Sequence, residues 1–257
     1  MVMHNAAFAA AGIDGRYELL ELDEADVPLA VAEAHGAEWL GLGVTAPYKK
    51  LVASLVDEVE PEAAQIGAVN NVVRTVEGRL VGFNTDAPGF CAGVELAMGR
   101  PLSGADVVVA GAGGAAHAVV FACLAAGVQR LTLGNRTVPS SVHGIAAVGL
   151  DDDRFFAALR SADLAVNATT VGMVEPGMTI PVDELRADAT VFDCVYIPAE
   201  TQLLAAARGR GLRAANGSEM LIAQAAIAFE RWTGVGGMAG VMREAVVPLF
   251  ADAAAPA

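Results

Sequence analysis

The sequence predicts an α/β fold in which two units follow one another along the chain. Strand-like runs alternate with helical stretches, and this alternation is typical of a parallel sheet covered by helices. The pattern changes near residue 87, where a first α/β unit gives way to short strands that are apolar throughout. We therefore predict a boundary near residue 87 and a second unit with a buried parallel sheet.

Composition excludes several classes of protein. The chain has 257 residues, 54% of them hydrophobic, so it can bury a large core. A formal net charge of -14 argues against a nucleic-acid partner, because binding phosphates requires a basic face. No apolar run is long enough to span a membrane, and no secretory signal is visible. The three cysteines show no metal-ligand spacing, so we expect reduced thiols in a cytoplasmic protein without a metal.

The elements of the first unit follow from periodicity and from glycine and proline positions. Glycines close the predicted helices, period-two alternation marks the strands, and Glu77-Gly78 marks a hairpin turn. The predicted elements are a helix at 4–12, a strand at 17–23, a helix at 27–36, a strand at 39–45, a helix at 49–59, a hairpin at 68–86 and a helix at 88–99.

A glycine turn opens the second unit. The run "VVVAGAGGAAHAVV" places Gly111-Ala112-Gly113-Gly114-Ala115 between an apolar strand and a long apolar helix. This context suits a dinucleotide pyrophosphate, because glycines allow a close backbone approach and the helix N-terminus offers free N–H groups. The alternative is an ordinary tight turn between a strand and a helix.

The end of the next strand discriminates between the two nicotinamide dinucleotides. It reads "GNRT", which is Asn135-Arg136-Thr137. NAD-binding proteins usually carry an acidic residue here for the ribose hydroxyl, whereas an arginine accommodates a 2′-phosphate. We therefore predict NADP, with NAD as the less favoured alternative, since no second basic residue follows Arg136. Two further buried-type strands, in "ADLAVNATTVGM" and "ATVFDCVYIP", come next, and the chain finishes in helix.

Polar residues of the first unit cluster at the ends of predicted strands. In "GLGVTAPYKK" two adjacent lysines, Lys49 and Lys50, follow a strand, and the predicted hairpin ends in "NTD" at Asp86. A lysine and an aspartate that meet beside a nicotinamide would form a plausible proton-transfer pair. The alternative is that both lysines are solvated residues of a helix N-terminus, and spacing alone does not decide between these interpretations.

Several of these motifs together resemble the shikimate dehydrogenase family. "GVTAPYKK" is similar to the family's N-V-T-x-P-(H/Y/F)-K, and "GAVNN", "GFNTDAPGF", "GAGGAAHAV", "GNRT", "NATTVGM", "VYIP" and "GSEMLIAQAAIAFERWTG" follow in the family's order. The resemblance covers essentially the whole chain. It implies a substrate-binding α/β domain of residues 1–86 with 222–257, a Rossmann-like NADP domain of residues 87–221, and chemistry in the cleft between them. The implied reaction is the NADP-linked interconversion of 3-dehydroshikimate and shikimate.

The same resemblance implies roles for individual residues. Lys49 and Asp86 match the family's catalytic pair. The implied substrate contacts are Thr45, Asn70, Tyr196 and Gln224. The implied cofactor contacts are Gly111, Ala112, Gly113, Gly114, Ala115, Asn135, Arg136, Thr137, Asn167, Thr169, Met173 and Gly217.

Departures from the family pattern keep other functions open. Gly43 stands in place of an asparagine, and Glu219 lies in "NGSEM" where the family has D-G-L-G-M. A paralogue acting on quinate or another cyclic polyol acid with NAD(P) is one alternative, and a non-catalytic protein that binds NADP or a metabolite is another. A methylenetetrahydrofolate dehydrogenase-like enzyme would share the layout but not the motif order. We expect a small-molecule substrate and a monomer or homodimer.

The beginning of the chain is a further departure. "MVMHN" corresponds to a point inside the segment where the family has a strand and a Ser-x-Ser-Pro motif. Our expectation is a start chosen too late rather than a native loss.

Overall fold

The computed structural model describes residues 1–138 and 141–252. These residues form two compact units. The first comprises Met1–Asp86 with Ile222–Val246, and the second comprises Ala87–Leu221 with the described residues from Val247 onward. The sequence placed all of residues 222–257 with the first unit, whereas the structure groups the end of the last helix with the second.

The first unit contains a four-stranded mixed sheet. Its strands are β1 (Gly41–Gly43), β2 (Glu58–Val59), β3 (Asn71–Arg74) and β4 (Leu80–Phe83). Their order across the sheet is β1-β3-β4-β2; β3 is antiparallel to both β1 and β4, and β2 is parallel to β4. The predicted hairpin is therefore present as β3 and β4, and Gly78 takes the positive φ of 84° that its turn requires.

Short helices pack around this sheet. They are α1 (Val2–Ala11), α2 (Val27–Glu33), α3 (Lys49–Ala53) and α4 (Pro61–Ile66), and α9 (Ser218–Thr233) supplies aromatic residues from the C-terminal part. Val27 and Val31 of α2 pack with Val52 of α3 and Val72 of β3 in one apolar core. Gly12 closes α1 in the left-handed conformation, as its position in the sequence predicts.

The predicted strand at 17–23 is wrong. Residues 17–23 form no strand, because none of the described strands pairs with this segment. Side chains hold it instead. Asn5 donates to the Tyr17 carbonyl at 3.0 Å and accepts from the Tyr17 amide at 2.7 Å, and the Tyr48 hydroxyl donates to the Leu22 carbonyl at 2.9 Å. Alternation within a segment does not form a strand without a partner that satisfies its backbone.

The predicted helix at 49–59 is also only partly right. The helix stops after Ala53, and residues 58–59 join the sheet as β2 beside β4. Asp57 stabilises the change of direction, since its Oδ2 accepts from the Leu80 amide at 2.7 Å and contacts His35 Nε2 at 3.1 Å. Pairing with β4 therefore overrides the helical pattern of this segment. The predicted helix at 27–36 and strand at 39–45 are present but shorter, as α2 and β1.

The second unit contains a six-stranded parallel sheet. Its strands are β5 (Asp106–Ala110), β6 (Arg130–Gly134), β7 (Ala147–Val148), β8 (Leu164–Asn167), β9 (Thr190–Asp193) and β10 (Arg213–Asn216). Their order is β10-β9-β8-β5-β6-β7, and every pairing is parallel. This order is that of dinucleotide-binding α/β domains, with the switch point between β5 and β8. Sequence analysis identified β5, β6, β8 and β9 but missed the edge strands β7 and β10.

Helices cover this parallel sheet. They are α5 (Asp86–Met98), α6 (Gly114–Ala126), α7 (Asp153–Ser161) and α8 (Gln202–Gly209), with α10 (Ala239–Asp252) at the end of the described chain. Phe155 and Leu159 of α7 and Leu203 of α8 lie in a core with the apolar strands. Within the described residues, no helix combines the length and apolar composition that crossing a bilayer requires.

Candidate active site

A lysine and an aspartate meet at one edge of the first unit's sheet. Lys49 is the first residue of α3, which follows β1, and Asp86 is the first residue of α5, which follows β4. Asn71 pairs with both Gly43 and Phe83, so the ends of β1 and β4 lie at the same edge. Lys49 Nζ lies 2.6 Å from Asp86 Oδ2, and the two side chains are 24% and 16% exposed. The pair is therefore partly shielded from water yet still accessible to a ligand.

Asn70 holds the second oxygen of the aspartate. Its Nδ2 donates to Asp86 Oδ1 at 2.7 Å, and its Oδ1 accepts from the Thr85 amide at 2.8 Å. Asn71 Nδ2 donates to Asn70 Oδ1 and to Thr85 Oγ1, at 2.9 Å each. Asn70, Asn71 and Thr85 are all buried. Both carboxylate oxygens of Asp86 are thus bound by donors, which fixes its orientation toward Lys49.

Gln224 and Asn84 complete this polar cluster. The Thr85 hydroxyl donates to Gln224 Oε1 at 3.2 Å, and the Asp86 amide donates to Asn84 Oδ1 at 2.9 Å. The structure therefore brings together four of the residues that the family resemblance singled out: Lys49, Asp86, Asn70 and Gln224. Sequence analysis did not assign a site role to Asn71, Asn84 or Thr85, although their position at strand ends was the signal that could have found them.

The other two predicted substrate residues are not part of this cluster. Thr45 is exposed, and its carbonyl accepts from the Tyr48 amide at 3.1 Å. Tyr196 belongs to the second unit, where its ring contacts Phe250 at 5.6 Å between centroids. Lys50 is exposed, as expected for a solvated neighbour of Lys49.

Tyr17 occupies the space beside Gly43, the position where the family pattern has asparagine. A Cβ atom at Gly43 would lie 2.3 Å from Tyr17 Oη. The Tyr17 ring stacks on His4 at 4.5 Å, and burial raises the pKa of the tyrosine. Burial also lowers the pKa of His4 to about 4, so His4 is neutral at pH 7 and is not a general acid there. The absence of a side chain at Gly43 therefore leaves the space that the Tyr17 hydroxyl occupies.

The predicted glycine turn connects β5 to α6. Gly111 has a φ of 124°, and a Cβ there would lie 2.7 Å from the Ala168 carbonyl oxygen, so only glycine fits. Gly113 and Gly114 are exposed, and a Cβ at either would meet nothing within 4 Å. No side chain caps the N-terminus of α6. An open backbone surface with free N–H groups at a helix N-terminus fits the pyrophosphate of a dinucleotide.

Arg136 follows the strand next to the glycine turn. The Gly111 amide donates to the Gly134 carbonyl at 2.8 Å, which ties the turn to the end of β6. Asn135 Nδ2 donates to the Thr137 carbonyl at 2.7 Å and shapes the short segment that carries Arg136. Arg136 is exposed and forms no ion pair with a carboxylate in the described part of the chain. A free guanidinium here fits the 2′-phosphate of NADP.

Four further predicted cofactor residues end β8, lie in the loop after it or precede α9: Asn167, Thr169, Met173 and Gly217. The side chain of Asn167, at the end of β8, is buried and bonded within the protein, while Thr169 is partly exposed and Met173 is 52% exposed. Gly217 is buried, and a Cβ there would lie 2.3 Å from the Cys194 carbonyl oxygen. The structure thus gives Gly217 a packing reason of its own.

Comparisons with known proteins identify the family. The model of the shikimate dehydrogenase substrate binding domain matches residues 1–72, and that of the shikimate 5'-dehydrogenase C-terminal domain matches residues 217–247. The NADP(+) shikimate dehydrogenase of Methylobacterium radiotolerans is 41% identical over 243 residues, which are 91% of this chain and 86% of that protein. The chain belongs to the shikimate dehydrogenase family. The corresponding enzyme of Geobacillus kaustophilus is 37% identical, over 91% of this chain and 87% of its own length.

Solved structures of shikimate dehydrogenase family members have the same fold. Shikimate 5-dehydrogenase of Thermus thermophilus, solved in complex with shikimate, is 38% identical with a TM-score of 0.83, covering 97% of this chain and 93% of that one. Quinate dehydrogenase of Corynebacterium glutamicum, solved in complex with NAD, is 36% identical with a TM-score of 0.85, covering 96% and 93% of the two chains. The fold and the family predicted from the sequence are therefore confirmed.

Proposed function

We propose that this protein interconverts shikimate and 3-dehydroshikimate with NADP as the redox partner. The observation that carries the proposal is the contact between Lys49 and Asp86, with Asn70 fixing the carboxylate, in a member of the shikimate dehydrogenase family. A lysine beside an oriented carboxylate is suited to move a proton on and off a substrate oxygen.

The roles of the two central residues follow from this geometry. Asp86 Oδ2 accepts a hydrogen bond from one N–H of the Lys49 ammonium. The other two N–H groups are then left for the oxygen at C3 of the ring. On reduction the Lys49 ammonium donates a proton to the carbonyl oxygen, and on oxidation the neutral Lys49 amine accepts the proton that the hydroxyl loses. We assign Asn70 and Gln224 to ring-hydroxyl contacts, and we propose Thr45 and Tyr196 as further substrate contacts on the family resemblance alone.

Residues of the second unit would hold NADP, which supplies the hydride acceptor. The glycine turn at 111–114 would bind the pyrophosphate through backbone N–H groups. Arg136, with Asn135 and Thr137 beside it, would bind the 2′-phosphate. We further propose contacts from Ala115, Thr169 and Met173. Residues 1–86 with 222–246 accordingly form the substrate domain, and residues 87–221 form the NADP domain.

A second candidate is the oxidation of quinate with NAD. It is favoured by the similarity to a quinate dehydrogenase solved in complex with NAD. Arg136 speaks for NADP instead, since an arginine at this position serves a 2′-phosphate. A non-catalytic binding protein is the third candidate, and the intact Lys49–Asp86 pair counts against it.

We also propose a cytoplasmic location and a monomer or homodimer. Among the described residues, Cys91, Cys123 and Cys194 form no disulfide, which suits a reducing compartment.

Adjacent lysines provide the test. Purified protein is mixed with shikimate or quinate and with NADP or NAD, and the absorbance of the reduced nicotinamide is followed. We expect the wild type to prefer shikimate and NADP, and Lys49→Ala to lower kcat about a thousandfold because the proton-transfer group is lost. Lys50→Ala is the matched control and should stay within about twofold of wild type, since exposed side chains contribute little.

The outcomes separate the candidates. Preference for quinate and NAD would favour the second candidate over the first. Binding of NADP without turnover of either acid would contradict enzymatic function. Equal losses in Lys49→Ala and Lys50→Ala would contradict the assigned role of Lys49.

A further inference from the structure

A buried carboxylate lies in the second unit, in addition to the predicted catalytic pair. Asp193, the last residue of β9, is fully buried, and burial raises its pKa. Its Oδ1 accepts from Asn167 Nδ2 at 2.8 Å and from the Val195 amide at 3.0 Å, and its Oδ2 accepts from Thr201 Oγ1 at 2.7 Å. Placing a carboxylate out of water is costly unless donors surround it. These three donors therefore hold the Asp193 carboxylate in a fixed position at the centre of a hydrogen-bond network.

Asn167 extends this hydrogen-bond network into the loop after β8. Its Oδ1 accepts from Thr169 Oγ1 at 2.7 Å and from Thr179 Oγ1 at 3.0 Å, and its Nδ2 donates to the Val171 carbonyl at 3.1 Å as well as to Asp193. One side chain thus binds both ends of the loop at residues 168–179. We call this loop the β8 loop. Thr169 and Met173, two of the proposed cofactor residues, lie in it.

Asp193 likewise binds both ends of the loop after β9. The Val195 amide lies at the start of residues 194–201, and Thr201 lies at their end, where its Oγ1 also accepts from the Leu204 amide at 3.3 Å and caps α8. We call these residues the β9 loop. The two loops touch, since a Cβ at Gly172 would lie 3.2 Å from Thr201 Cγ2. Asp193 therefore links both loops to the carboxyl ends of their strands.

The topology indicates which part of the cofactor these loops face. A dinucleotide lies across the carboxyl edge of such a sheet, with one nucleotide on each side of the switch point. Arg136, at the end of β6, assigns the adenosine 2′-phosphate to the β6 side. The nicotinamide nucleotide then lies on the side of β8 and β9, where the β8 loop and the β9 loop emerge. The Ala168 amide donates to the Ala110 carbonyl at 2.8 Å, so the β8 loop begins beside the glycine turn.

We infer that Asp193 is a positioning residue for the nicotinamide half of NADP, acting through Asn167 and Thr201 on the β8 loop and the β9 loop. This inference rests on the proposed function, since it takes NADP as the cofactor. It assigns no contact between Asp193 and the cofactor, because the side chain is buried.

Equilibrium binding tests the inference with two probes. NADP reports on both halves of the site, whereas adenosine 2′,5′-bisphosphate lacks the nicotinamide nucleotide and reports on the adenosine half alone. In Asp193→Asn, one acceptor oxygen becomes an N–H donor, so the network loses at least one bond. We expect the Kd for NADP to rise about tenfold, while the Kd for the bisphosphate stays within about twofold of wild type. The kcat for shikimate oxidation should also fall.

Thr190→Val is the matched control. Thr190 lies on the same strand and is fully buried, but its Oγ1 has no hydrogen-bond partner among the described residues, so its removal leaves the network intact. This variant should bind both probes as wild type does. If Asp193→Asn does not fold, Thr201→Val removes the bond to Oδ2 together with the cap on the Leu204 amide, and Thr201→Ser, which keeps the hydroxyl and both bonds, should restore NADP affinity.

Any of five results would overturn the inference. Equal weakening of both probes would show a general structural role, and unchanged binding of both would show that the network does not position the cofactor. If Thr201→Ser does not restore the NADP affinity that Thr201→Val loses, the hydrogen bonds of the Thr201 hydroxyl are excluded as the cause. If wild type binds neither probe, the proposed cofactor fails and the inference fails with it. If wild type oxidises shikimate with NADP while Asp193→Asn matches it, the inference alone fails.

Discussion

At the scale of single residues, Lys49 and Lys50 are chemically identical neighbours in very different surroundings. Lys49 lies against a carboxylate that Asn70 also holds, while Lys50 points into water. Local spacing around the two lysines is as consistent with two solvated residues of a helix N-terminus as with a proton-transfer lysine. The family motif singles out Lys49, and the contact with Asp86, 37 residues along the chain, shows that this lysine lies against a carboxylate.

At the same scale, we predict that Arg136 decides between the two dinucleotides. Replacing it by glutamine removes a cation that is exposed and free of ion pairs in the described chain. We expect Arg136→Gln to raise the KM for NADP about tenfold and to leave the KM for NAD within about twofold, because only NADP carries the 2′-phosphate. Steady-state kinetics with both dinucleotides measure this.

An exposed arginine elsewhere in the same unit is the control. Arg160 contacts Glu184 at 2.7 Å on the surface, so Arg160→Gln should change neither constant. Parallel losses for NADP and NAD in Arg136→Gln would contradict the assignment of Arg136 to the 2′-phosphate.

At the scale of elements, the glycine turn contains glycines with different tasks. Gly111 has a positive φ and lies against the Ala168 carbonyl, so its task is structural. Gly113 has an ordinary φ of -85° and open space around it, so we propose that its task is to leave room for a ligand. The same residue type would then serve the fold at one position and the ligand at the other.

These two tasks predict opposite effects of one added methyl group. Gly111→Ala should lower the free energy of unfolding by about 2–4 kcal/mol, from backbone strain and the clash with Ala168. Gly113→Ala should cost at most ~1 kcal/mol, the loss of a favourable N-cap residue, but should weaken NADP binding about tenfold. Urea unfolding and NADP titration measure the two quantities. A stable Gly111→Ala variant, or a Gly113→Ala variant with unchanged affinity, would contradict this division.

The errors of sequence analysis also belong to the element scale. The segment at 17–23 has strand periodicity but no partner strand in the described chain, and residues 58–59 leave a helical pattern because β4 offers them a partner. In both places a long-range hydrogen-bonding partner, or its absence, outweighed the local pattern. Glycine-closed α1 and the hairpin were predicted well, since a turn residue fixes each of them locally.

At the scale of the whole molecule, the chain builds two units with separate sheets and separate groups of polar residues. The first unit holds Lys49 and Asp86, and the second holds the glycine turn and Arg136. Substrate and cofactor should therefore stabilise the protein through different residues.

Thermal unfolding with each ligand tests this separation. A ligand that binds only the folded state at about 100 times its Kd stabilises it by ~2.7 kcal/mol. We expect Asp86→Asn to lose the rise in Tm caused by shikimate and to keep the rise caused by NADP. Arg136→Gln should show the reverse at a fixed NADP concentration. Loss of both responses in either variant would contradict independent sites.

The sequence by itself determined the fold class, the family and the dinucleotide motif. These depend on local signals: an apolar strand, a glycine turn and a helix are adjacent in the chain, so short stretches such as "GAGGAAHAV" contain the relevant physics. The order of motifs along the chain then identified Lys49 and Asp86 as candidates.

Only the tertiary structure decided which polar residues meet and which segments become strands. Asn71 and Thr85 join the Lys49–Asp86 cluster because antiparallel pairing brings the ends of β1 and β4 to one edge. Asp193 appears in the sequence as one acidic residue in an apolar strand, and its role depends on donors from two loops. The physical reason is the same in each case. A hydrogen bond or a strand pairing needs two partners, and the position of one partner in the sequence does not tell how far away in space the other lies.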